Sequence, residues 1–86
     1  MNIARTERFK LAFKELKERD RQRVEKALRL MLNDLRHPSL RAKKMSGTEN
    51  IWEARASLSI RITFQIEGET IVLRNVGAHD KTLKHP

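Results

Sequence analysis

The stretch SIRITFQI, residues 59–66, decides the fold, because Ile60, Ile62, Phe64 and Ile66 alternate with Arg61, Thr63 and Gln65. Every second side chain of a strand points to the same side, so one face is apolar and the other polar. The flanking segments read the same way. NIWEARA (50–56) comes before it and TIVLRNV (70–76) after it, with Glu67-Gly68-Glu69 as the short hairpin turn into the latter. In NIWEARA, Trp52, Ala54 and Ala56 share one side while Glu53 and Arg55 share the other.

Upstream the period lengthens. Phe9, Ala12, Phe13 and Leu16 recur at helical spacing, with Thr6 as N-cap and Glu7 in the first turn. Val24, Ala27, Leu28, Met31, Leu32 and Leu35 define a second helix, with Asp20 as its N-cap and His37-Pro38 as its stop. So short a connection makes these helices an antiparallel hairpin. Asn2 to Arg5 read as a short leading strand. The expected architecture is α+β, β-α-α-β-β-β, with the helical hairpin on one face of a small antiparallel sheet. Residues 1–86 read as a single domain with no repeat or linker.

Composition limits the functions available. Nineteen Lys and Arg against eleven Asp and Glu give +8 on 86 residues. Such an excess speaks to partners, either nucleic acid or an acidic protein, or to solubility alone. No cysteine is present. A disulfide framework, a thiolate metal site and a thiol nucleophile are thereby excluded. No apolar leader or membrane span is visible, so the expected location is the cytoplasm, with no membrane partner.

Alternation carries Glu53, Arg55 and Arg61 to the side away from the helices. The arginine fork suits phosphate, through two parallel charge-assisted hydrogen bonds; a surface salt bridge with Glu53 is the structural alternative. Arg41, Lys43 and Lys44 form a basic run bordering that face, as phosphate contacts or a solvated patch. Past the last strand, Gly77 permits a sharp turn and His79 follows, the side chain best suited to proton transfer near neutral pH. Trp52 could stack on a base, but its place in the strand favours the core, as for Phe9, Phe13 and Phe64. His79-Asp80 resembles the HD pair of metal-dependent phosphohydrolases. Those need further ligands over a much larger helical domain, so no metal site is expected.

The run RHPSLRAKKMSGTENIWEARASLSIRITFQIEGETIVLRNVGAHD (36–80), following a helical hairpin, resembles the RelE/ParE superfamily of toxins from type II toxin–antitoxin pairs. The resemblance covers nearly the whole chain. It implies a toxin that cleaves mRNA at the ribosome, without a metal or other cofactor, and so inhibits translation. The ribose 2′-hydroxyl attacks the adjacent phosphate and leaves a cyclic phosphate. On that reading Arg61 and Arg55 hold the phosphate and His79 is the acid or base. Arg41, Lys43, Lys44 and His85 contact RNA. Glu53 stands where RelE has a lysine and is a second candidate base. RelE's C-terminal tyrosine is missing, since the chain has none. The resemblance also implies an acidic antitoxin as partner. Two other activities fit the same superfamily: a ParE-like poison of DNA gyrase, and an inactive antitoxin-binding module.

Overall fold

The computed structural model describes residues 1–86. β1 (Asn2–Arg5) leads into α1 (Glu7–Lys14) and α2 (Glu18–Asn33), and a 3-10 turn (Pro38–Leu40) follows. Then come β2 (Lys43–Lys44), β3 (Trp52–Arg55), β4 (Ile60–Glu67), β5 (Thr70–Ala78) and α3 (His79–Lys84). The α+β class and the helical hairpin agree with the sequence reading.

The sheet departs from that reading in two ways. It has five strands in the order β1-β5-β4-β3-β2, and it is mixed, because β1 runs parallel to β5. The remaining pairs are antiparallel. A parallel neighbour needs a long crossover, and the rest of the chain between β1 and β5 supplies it. β2 is the added strand, two residues paired with Trp52 and Glu53.

Thr6 caps α1 as expected. Its Oγ1 accepts from the Phe9 N–H at 3.1 Å and donates to the Leu73 carbonyl at 2.8 Å, tying the helix start to β5. Asp20 is not the cap of α2; Lys17 takes that position without a side-chain bond, and Asp20 lies in the first turn. The helix starts earlier because Arg21 reaches back to the carbonyls of Lys14 and Leu16, which the end of α1 leaves open. Gly68 opens the β4–β5 turn with φ +60°, as a two-residue turn with a positive first position requires.

The buried apolar residues form one cluster between helices and sheet. Phe9, Val24, Met31 and Leu40 meet Ile62, Phe64, Ile71 and Leu73 there, each 1% exposed or less. Trp52 is half-buried, stacked on Phe64 at 6.2 Å between centroids. It is part of the core's flank, as its position in the strand indicated.

The largest departure is at the end of the chain, where the expected tail is helical. α3 lies against β4 and β5, with Thr82 2% exposed. Thr63 Oγ1, on the polar face of β4, donates to the Pro86 carbonyl at 2.9 Å, as does Arg74 Nε at 3.2 Å. Asn75 Nδ2 donates to the His85 carbonyl at 2.9 Å. The polar face is therefore open only towards β3 and β2. Gly77, φ +157°, makes this close approach possible, since a Cβ there would sit 2.9 Å from Thr82 Oγ1.

Candidate phosphate-binding site

Two rows of side chains cross the open part of the sheet. Register places Arg55 opposite Arg61 and Arg61 opposite Gly77. The next row runs Lys43, Glu53, Thr63, Asn75. Alternation puts both rows on the face away from the helices. The convergence of Glu53, Arg55 and Arg61 expected from sequence is present, and Lys43 joins it.

Arg61 is not exposed, as a free cationic patch would require. It is 5% exposed, and its Nη1 donates to the carbonyls of Ser57 at 3.0 Å, Leu58 at 3.1 Å and Ile60 at 3.4 Å. The guanidinium thus closes the β3–β4 turn. Nε and Nη2 make no hydrogen bond, and no side-chain nitrogen of this residue is both fully enclosed and unpartnered. One edge of the fork is committed to backbone and the other is left over.

Burial holds the Arg61 guanidinium below its ordinary pKa, and the Arg55 charge acts in the same direction. Glu53 opposes them and Arg41 adds to the lowering. Arg41 therefore belongs to the same field, projected from a left-handed position, φ 46°, just after the 3-10 turn. Glu53 forms no ion pair with either arginine, so the salt-bridge alternative fails; the side-chain pairs within 4 Å join Glu7–Lys10, Glu18–Arg21 and His79–Asp80. Like charges opposite each other across a ladder destabilise by a few tenths of a kcal/mol to about 1. Arg55→Gln is accordingly expected to raise the stability of the free protein by about 0.5 kcal/mol, read from urea midpoints, while weakening anion binding.

His79 reaches the same end of the sheet by another path. Its N–H donates to the Ser59 carbonyl at 2.9 Å, so it is anchored to the turn that Arg61 holds. Its Nδ1 lies 2.9 Å from Asp80 Oδ1. A carboxylate accepts, which puts a proton on Nδ1 and leaves Nε2 as the free nitrogen. The two neighbours do face each other, although both are exposed.

The remaining candidates divide. Lys44 pairs with Trp52 and so lies on the opposite face from Lys43; it does not join the rows. His85 is exposed, and its backbone carbonyl, rather than its ring, bonds Asn75 and Arg8. No cluster of three or more His, Asp or Glu side chains is gathered anywhere. Sequence reasoning missed Thr63 and Asn75, polar residues on β4 and β5 that hold the chain end against this face.

No protein-family model and no curated protein matches the sequence. Solved structures do match the shape. The RelE–RelB toxin–antitoxin complex of Methanococcus jannaschii superposes with a TM-score of 0.77 at 21% identity, covering 96% of this chain and 99% of that one. The fold is that of RelE-like toxins. YafQ from E. coli gives 0.78 at 14% identity over 94% of this chain and 96% of its own. The intact E. coli RelBE complex gives 0.71 at 20% identity, over 91% and 95%. The RelE-like fold therefore extends over nearly the whole chain, 91–96% of it in these three superpositions.

Proposed function

We propose that this chain is the toxin of a toxin–antitoxin pair and cleaves mRNA on the ribosome without a metal. The observation that carries the reading is the single turn, residues 57–60, to which both the Arg61 side chain and the His79 backbone are tied. Such an arrangement supplies the parts that transphosphorylation needs. Arg61, through Nε and Nη2, and Arg55 face the phosphate and stabilise its extra charge. The 2′-hydroxyl gives its proton to a base and its oxygen bonds to phosphorus. The bond from phosphorus to the 5′-oxygen breaks, and that oxygen takes a proton from an acid. His79 Nε2 serves one of these transfers, and Glu53 is the candidate for the other. Arg41 and Lys43 hold flanking backbone.

The toxins of similar fold are seen in complexes with RelB and DinJ antitoxins. A basic chain of +8 suits an acidic partner, with association that is fast and slowed by salt. The test combines two measurements. Inducing the chain alone should stop translation before DNA integrity fails, and the purified protein should cut mRNA with ribosomes present and EDTA added. DNA breakage first would favour gyrase as target. Absence of any toxicity from a folded chain would make it a binding module only.

A further inference from the structure

The flank of α2 nearest the β3–β4 turn carries a second feature. A surface depression of about 330 Å³ is lined there by Arg23, Lys26, Ser39, Arg55 and Ser57, above Ala27 and Leu30. No carboxylate lines it. The depression on the other flank of α2, beside β1, contains Glu25 together with Arg29 and Arg5. Positive charge is therefore partly offset on one side of the helix and unopposed on the other.

Arg23 and Lys26 are exposed and take part in no ion pair, whereas Arg21, two residues before Arg23, is spent on Glu18 at 2.9 Å. Arg23 and Lys26, two unpaired cations beside one small hollow, repel one another in the free protein, a cost that an anion removes. Two hydroxyls, Ser39 and Ser57, add neutral donors. The volume is at the low end of ligand pockets, roughly 300–1,000 Å³, which suits a phosphodiester with its sugar better than a large metabolite. Arg55 belongs to both this depression and the row opposite Arg61, so the two are contiguous.

We propose that this depression binds a backbone phosphate of the single-stranded RNA flanking the scissile nucleotide. The proposal rests on the nuclease reading and extends it, giving Arg23 and Lys26 the role of holding the strand on the helix side of the β3–β4 turn. Sequence-independent contacts of this kind fix register and make affinity salt-dependent.

Binding of a short 2′-O-methyl RNA, which lacks the attacking hydroxyl, isolates this step from cleavage. For single strands the slope of log affinity against log salt is about −0.7 per contact, so losing both cations flattens it by about 1.4. Between about 1 M and about 0.1 M salt that becomes roughly a 25-fold loss in affinity. Arg23→Ala/Lys26→Ala should show both changes with its circular dichroism intact, and Arg23→Lys/Lys26→Arg should restore them. Lys14→Ala/Arg29→Ala removes the same net charge from elsewhere and should leave most of the slope in place.

An unchanged slope in Arg23→Ala/Lys26→Ala, with wild type binding normally, overturns the proposal and leaves the nuclease reading standing. Equal flattening by Lys14→Ala/Arg29→Ala also overturns it, because net charge alone would then suffice. Loss of polyglutamate binding without loss of RNA binding assigns the depression to an acidic protein instead. A wild-type chain that binds no RNA at all also overturns this proposal, while the nuclease reading, which places cleavage on the ribosome, stands or falls by the ribosome assay.

Discussion

Arg61→Ala is expected to lose RNA cleavage by about two to three orders of magnitude and, independently, about 2–4 kcal/mol of stability. The two losses come from different edges of one guanidinium. Nη1 serves the carbonyls of Ser57, Leu58 and Ile60 in a nearly buried position, and truncation leaves these acceptors without their charged donor. Hydrogen bonds to charged groups contribute about 1.5–3 kcal/mol each, and they are not additive around one donor. Loosening the turn would also free the backbone anchor of His79 at Ser59.

Separating the edges takes a second variant. Arg61→Lys keeps the charge and a donor for the turn but cannot supply a fork to phosphate. It should recover most of the stability, measured by urea unfolding, while cleavage per folded molecule stays at least about tenfold below wild type. If Arg61→Lys cuts RNA as well as wild type, the outward edge has no part in the chemistry. Arg61 would then be a structural residue that happens to face Arg55.

The distinction bears on what a sequence can show. Alternation in residues 59–66 correctly assigned Arg61 to the face away from the helices, because strand geometry is local. Its burial was not legible there. A polar strand face is wet only where nothing later in the chain covers it, and here α3 and the segment reaching Pro86 fold back over Thr63. α3 itself left no periodic trace, since HDKTLK spans less than two turns and is held by Thr82 against Gly77. β2, at two residues, is too short to show a period, and β1 gives no local sign of its partner, because pairing is non-local.

The α2 depression was hidden for a different reason. Exposed Arg and Lys on a helix read as a solvated face by default. A signal existed: Lys26 has no carboxylate three or four residues away, with Gln22, Arg23, Arg29 and Leu30 at those positions. It needed the neighbouring Ser39, Arg55 and Ser57, brought by other elements, before it could mean anything.

His79→Ala should reduce cleavage about as much as Arg61→Ala, by roughly two to three orders of magnitude, yet leave stability within about 0.5 kcal/mol. The side chain is half-exposed and its one hydrogen bond is to Asp80, whose carboxylate is almost fully solvated. Such a pair contributes little to folding. Its value would lie in fixing the ring, with the proton on Nδ1 and Nε2 presented to the substrate. Asp80→Asn tests that directly: orientation by an exposed partner is weak, so a loss of no more than about tenfold is expected. The pH–rate profile assigns the proton. Removal of the histidine should erase one limb of the wild-type profile, and Glu53→Gln the other, if the two share acid and base duties. Should His79→Ala cleave at the wild-type rate with both limbs intact, proton transfer at this site belongs to other groups. The arginines would then be stabilising a phosphate whose protons move through residues other than His79.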